Sequence, residues 1–160
     1  MRKIALAAAS IAGAALLFVP VAFAGGNLAK QKPIVVHLDL GKDGVETHKF
    51  YPDKLTFETG KLYRLMIHNP SNSKHYFTSL GFASKVFTRK VQVMDDLGKG
   101  AKAIGEIKGA IREIEVYPGG TAEWWFVPVA TGTVEMRCGI KDKDGKTHAK
   151  KGMHGTVTII

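Results

Sequence analysis

Residues 138–155 read Cys138-Gly-Ile-Lys-Asp-Lys-Asp-Gly-Lys-Thr-His148-Ala-Lys-Lys-Gly-Met153-His154-Gly155, and the order of their side chains decides how the rest of the chain is read. A thiolate, an imidazole and a thioether follow one another within this stretch. Copper that alternates between Cu(I) and Cu(II) takes soft sulfur together with imidazole nitrogen, in a trigonal set of one Cys and two His with a weak axial Met. Cys138, His148 and Met153 supply three of those four donors. The fourth is expected from a histidine distant in sequence, and His75, just past the turn-forming cluster Asn69-Pro-Ser-Asn-Ser73, is placed for it. Taken singly, a Cys at a strand end or a Met in a strand is core filler; the coincidence of order and spacing is what points to a metal.

The flanking sequence is β-like. Pro33 to Leu40 is rich in branched residues and ends at the turn Gly41-Lys-Asp-Gly44. Phe50 to Phe57 and Lys61 to His68 read as two further strands, and His75 to Leu80 as a short one. Ile111 to Tyr117, Thr121 to Val127, Thr133 to Cys138 and Gly155 to Ile160 supply the rest, with the turn Pro118-Gly119-Gly120 between the first two. Seven or eight short strands separated by turn signals predict an all-β chain, an antiparallel two-sheet sandwich or a barrel. Phe82, Val86, Phe87 and Val91 fall at helical spacings, and Gly98-Lys-Gly100-Ala-Lys-Ala is a small-residue linker, so residues 83–110 are expected to form a helical or loop insertion. Trp124 and Trp125 are adjacent on one strand, so one faces the core and the other outward, beneath the insertion.

The N-terminus sets the compartment. Arg2 and Lys3 precede an apolar run from Ile4 to Val21, and Ala22-Phe23-Ala24 reads as a cleavage triplet. Residues 1–24 therefore look like a secretory signal peptide rather than a membrane anchor. Its removal takes 24 residues and two positive charges from the 160 and +9 of the whole chain, leaving a single domain of 136 residues and +7. No other segment approaches transmembrane length, so no stable membrane insertion is expected after cleavage. Export to the periplasm or beyond disfavours nucleic acid as the partner of this positive charge and favours acidic proteins or anionic membrane surfaces. A lone thiol in an oxidising compartment is a liability for mispairing unless it is buried or held by something, so Cys138 needs an explanation.

These residues resemble the cupredoxins, the small exported blue-copper electron carriers, over most of the mature chain. The likeness rests on His75, on Cys138 ending the penultimate strand, on the H-x4-M pair His148 and Met153, and on Met153-His154-Gly155 entering the last strand. Pro118 to Pro128 and Gly132 to Cys138 are similar to the hairpin that precedes the ligand loop in exported single-domain members. The resemblance implies a two-sheet Greek-key sandwich and one type 1 copper held by His75, Cys138, His148 and Met153. It also implies outer-sphere electron transfer without a bound substrate, with His148 the ligand nearest the surface. Two features depart from the family. The Cys-to-His spacing is C-x9-H, longer than in plastocyanin or azurin and closer to the type 1 site of copper nitrite reductases, an extension that costs little loop entropy. Tyr76 follows His75 where many members carry an Asn whose amide and backbone tie the ligand loops together, and such outer contacts tune the metal.

Other readings of the same residues are weaker. His154 follows the axial Met directly and points to the opposite face, and His37, His48 and His68 are ordinary strand histidines that together would form at most an auxiliary copper site. Asp142-Lys-Asp144-Gly145 does not make a calcium loop, since the twelfth position is Met153 and not a bidentate Glu. A Cys138/His148 nucleophile pair has no evident orienting carboxamide or oxyanion hole nearby, and a Met five residues past the base has no role in it, so no enzyme activity is expected. Lys141, Lys143, Lys146, Lys150 and Lys151 crowd the loop between the ligands, where they would steer an acidic redox partner. The competing function is periplasmic copper handling, sequestration or delivery, through the same ligands.

Overall fold

The computed structural model describes residues 26–42, 45–94, 103–107 and 110–160; the expected signal peptide lies outside them. Alternation of apolar and polar side chains builds two facing sheets. Sheet one runs in the order β2 (Val45–Tyr51), β1 (Ile34–Lys42), β4 (Tyr63–His68), β9 (Thr121–Pro128), β6 (Val86–Met94) and β7 (Ala103–Ile107). Sheet two runs β3 (Lys54–Phe57), β11 (His154–Ile159), β10 (Gly132–Arg137), β5 (His75–Thr78) and β8 (Glu113–Val116). Both sheets are mixed rather than purely antiparallel, because β1 pairs with β4 and β11 with β3 in parallel.

Strict period-two burial appears where one strand face meets the core: Tyr63, Leu65 and Ile67 point inward on β4, His75 and Phe77 on β5, and Leu55 and Phe57 on β3. These residues interdigitate with Leu38, Leu40, Trp124, Phe126, Met136, Val157 and Ile159, all essentially out of solvent. Phe82 closes the end of the sandwich away from the ligand loop, its ring set against Phe57, Trp124 and Phe126 at centroid separations of 5.5, 5.2 and 4.9 Å. Burial of such an aromatic stabilises by about 2–3 kcal/mol.

Residues 83–110 do not form the expected insertion where they are described. One helical turn, α1 (Leu80–Ala83), stands at the start, and β6 and β7 then extend sheet one; residues 95–102 and 108–109 lie outside the described residues. The helix-like spacing of Val86 and Val91 comes from a β-bulge. The register of β6 on β9 slips between Thr88 and Lys90, and the extra residue breaks the two-residue period. Trp124 is buried and Trp125 faces outward as expected. Trp125 is flanked by Arg64 from β4 and by Arg89 and Lys90 from β6, at 5.5, 5.6 and 4.9 Å from its ring centre.

Candidate metal centre

Two turns fix the geometry at the other end of the sandwich. In the first, Asn69 is wholly buried and its side chain is fully used. Its Nδ2 donates to the carbonyls of Ser73 and Val116 at 2.7 and 2.8 Å, and its Oδ1 accepts from Ser71 N–H and Oγ–H at 3.0 and 2.7 Å. Its backbone is joined to Gly119 and Gly120, the turn before β9. Because Val116 lies opposite His75 in the β5–β8 pair, Asn69 fixes the strand position from which His75 points inward.

The second turn is the ligand loop. Cys138 follows β10, and its N–H donates to the Met153 carbonyl at 3.1 Å; the N–H of Met153 donates in turn to the His148 carbonyl at 2.9 Å. Residues 141–147 leave and return as a small hairpin, with a bridge between Lys141 and Thr147 and Gly145 at φ 74°. The long C-x9-H spacing is thereby absorbed: the additional residues fold on themselves and the His148 N–H returns to the Ile140 carbonyl at 2.8 Å.

These constraints place His75 Nδ1, His148 Nδ1 and Cys138 Sγ in one buried triangle. The Nδ1–Nδ1 separation is 3.1 Å, and Sγ lies 3.4 Å from His148 and 4.0 Å from His75. Three ligands at 120° around one ion, with metal–nitrogen distances near 2.0 Å and metal–sulfur near 2.3 Å, have sides of about 3.5 and about 3.7 Å. The triangle thus has the size of a trigonal metal set, and its donors are of the kind that copper favours. Met153 is fully buried beside them, held through its backbone to both Cys138 and His148. Tyr76 keeps part of what an Asn at that position would do: its backbone N–H points at Cys138 Sγ from 3.2 Å. Burial pushes the Cys138 thiol above its ordinary value, against the opposing N–H groups of Tyr76 and Ile140, so the metal-free thiol is protonated at neutral pH.

Two contacts were not legible as site residues. Asp142, at the base of the hairpin, accepts from His148 Nε2 at 3.1 Å while Lys151 holds its other oxygen at 2.6 Å. The Lys151 ammonium, then His148, brings its carboxyl down to about 2. An ionised carboxylate only accepts, so Nε2 carries the proton and Nδ1 is left with a lone pair facing the triangle. His48, on β2, lies over His148 with ring centres 4.2 Å apart and its Nε2 3.4 Å from Asp142. One signal for His48 exists in the sequence: it is two residues before the core residue Phe50 on the same strand and so shares its face. His148, expected nearest the surface, is only 1% exposed beneath these groups. His154 is exposed, as expected, and His37 is too, while His68 pairs with Asp39 at 3.4 Å. Among the described residues the only close donor groups are His75 with Cys138 and His148, and His48 with Asp142 and His148. The auxiliary set of His37, His48 and His68 does not assemble.

No protein-family model matches the chain, and no curated protein does. Solved structures do. A multicopper oxidase from Pseudomonas thermotolerans superposes with a TM-score of 0.52 at 12% identity, over 80% of this chain and 30% of its own. A laccase from Pediococcus acidilactici gives 0.52 at 13%, over 82% and 27%. The chain thus spans less than a third of either oxidase, and the likeness is one of fold: a cupredoxin-like β-sandwich. Auracyanin A, a blue copper protein from Chloroflexus aurantiacus, is matched over 81% of this chain and 100% of its own at 15% identity, with a TM-score of 0.49.

Proposed function

We propose that the chain is an exported one-electron carrier with a single type 1 copper held by His75, Cys138, His148 and Met153. The observation that carries this reading is the buried triangle of two imidazole nitrogens and one sulfur, of the dimensions of a trigonal metal set. Copper in such a set supplies one-electron exchange between Cu(I) and Cu(II). The protein's own part is to hold that set still. Asn69 fixes the strand bearing His75, the backbone bonds of Met153 tie Cys138 to His148, and Asp142 holds His148 in the tautomer that presents Nδ1. The Tyr76 N–H steadies the thiolate charge once the proton has left Cys138. Burial of all four side chains excludes water and competing ligands.

Lys141, Lys143, Lys146 and Lys150 are exposed around the ligand loop, and they are the basis for an acidic redox partner attracted by long-range charge. The test is absorption of the purified domain after Cu(II) addition and dialysis. A retained copper with an intense thiolate charge-transfer band that Cys138→Ser abolishes supports the reading, and a colourless, copper-free protein overturns it.

One observation favours a second reading, copper delivery. His48 and Asp142 flank His148 on the solvent side, offering donors between the buried triangle and the outside. A delivery protein surrenders its copper to a chelator or to a partner apoprotein within a redox cycle, whereas a carrier retains it.

A further inference from the structure

We propose that His48 Nε2, the Asp142 carboxylate and His148 Nε2 form a second metal site, for a divalent ion such as Zn(II) or Cu(II), on the solvent side of the His148 ring. Two imidazole nitrogens and a carboxylate oxygen are donors of the class that these ions take, and three protein ligands leave a fourth position for water. The distances suit one ion. Asp142 Oδ1 lies 3.1 Å from His148 Nε2 and its Oδ2 lies 3.4 Å from His48 Nε2, so the carboxylate turns one oxygen to each imidazole, at separations close to the about 3.3 Å between ligands of a tetrahedral ion with bonds near 2.05 Å. All three donor atoms are within 4.8 Å of one another.

The site is built into the fold. His48 comes from β2, at the edge of sheet one, and Asp142 from the hairpin of the ligand loop, so two distant segments converge on one imidazole. Side-chain exposure falls from Asp142 at 27% through His48 at 17% to His148 at 2%, which gives an entering ion a path from solvent. The surrounding depression is bordered by Ser73, Asp144 and Lys151. Lys151 holds Asp142 Oδ2, the oxygen that faces His48, at 2.6 Å, and it also reaches Asp144 at 3.1 Å; on metal entry it keeps the Asp144 partner, and Asp142 Oδ1 beside His148 Nε2 is the oxygen offered to the ion. As the metal–nitrogen bond forms, the proton on His148 Nε2 passes to Nδ1 when the triangle is empty, keeping the ring neutral, and leaves to solvent when Nδ1 is itself metal-bound, with no change of oxidation state.

The site uses no donor of the copper triangle except His148, through its opposite nitrogen, so it stands whether or not the triangle takes copper. With both sites filled, His148 would offer one ring nitrogen to each ion, and zinc bound outside would alter the absorption of copper bound inside.

The test uses Zn(II) as a redox-silent probe, titrated against the metal-free Cys138→Ser chain in competition with a chromophoric chelator. One zinc per chain is expected, weakened about tenfold or more by His48→Ala or Asp142→Asn and unchanged by His75→Ala. Zinc binding that His75→Ala abolishes and His48→Ala leaves intact overturns the proposal, as does no binding at all. A second measurement reads the site directly: in the metal-free Cys138→Ser chain, zinc must move the side-chain nitrogen resonances of His48 and His148, and a stationary His48 also overturns it. A His48-dependent zinc site in a chain lacking the thiolate–copper band refutes the carrier reading alone; the reverse refutes only this site.

Discussion

Asn69→Ala tests whether the turn before β5 positions the metal centre. The side chain makes four hydrogen bonds in a buried turn, and truncation removes all of them. Ser73 O keeps a bond from Ser71 Oγ at 3.0 Å, so two buried backbone groups, Val116 O and Ser71 N–H, lose their side-chain partner. A buried polar group left without its partner costs about 1–3 kcal/mol, so the expected loss is about 3–4 kcal/mol. At a denaturant slope of about 2 kcal/mol per molar urea, the midpoint of the metal-free chain falls by about 1.5–2 M. Asn69→Asp sharpens the test. It keeps both acceptor bonds from Ser71 but turns a carboxylate oxygen toward two carbonyls that now lie 2.7 and 2.8 Å from Nδ2, so it is expected to be no more stable than Asn69→Ala. Because Val116 faces His75 across the β5–β8 pair, both variants should also bind copper more weakly. A midpoint within about 0.3 M of the parent, or an Asn69→Asp chain clearly more stable than Asn69→Ala, refutes the reasoning.

Gly155→Ala should be strongly destabilising, by about 2–3 kcal/mol or more, because its Cβ would stand 2.1 Å from the Asp53 carbonyl and 2.6 Å from Met136 Cε; a denaturation midpoint equal to the parent's would show that β11 slides freely past β3. Metal loading should release the Cys138 proton, because burial holds the thiol above its ordinary value. Apparent copper affinity then rises by up to about tenfold per pH unit between pH 6 and 8, a slope that proton-release calorimetry or chelator competition reads directly. The same shift has a stability consequence. The folded thiol keeps its proton to higher pH than the unfolded one, so the metal-free chain is most stable below the unfolded value and loses stability as pH rises through the folded one. Cys138→Ser should flatten that slope in urea titrations at pH 8–10. Asp142 runs the opposite way: its carboxyl lies at about 2, so its contribution is complete above the ordinary carboxylate value and fades as pH falls toward 2. Asp142→Asn should flatten the acid limb of the stability profile and weaken copper binding about 10–100-fold.

Much of the architecture was legible in local patterns. On β4, β5 and β3 the two-residue alternation of apolar side chains follows the strands closely, and the turn formers at 69–73 and 118–120 lie between strands, whereas Gly41 and Lys42, read as the start of a turn, still belong to β1. The stretch 83–110 misled because a single bulged residue at the Thr88–Lys90 slip shifts the phase of β6, and the spacing left behind imitates a helix. The two parallel pairings, β1 with β4 and β3 with β11, were likewise not visible, since strand direction within a sheet follows from how the chain crosses between layers.

By itself the sequence determined the β-rich character of the chain and the order of its chemically distinctive side chains, Cys138, His148 and Met153 with His75 upstream. Donor chemistry, side-chain period and turn propensity are properties of short segments, and short segments can be read without a partner. Only the tertiary structure decided that the extra residues of the ligand loop fold into a hairpin, that Asp142 turns back onto the outer nitrogen of His148, and that His48 arrives from the edge of the opposite sheet to cover it. Those contacts join residues far apart in the chain, and they follow from strand order, register and the packing of one layer on another rather than from the preferences of any single segment.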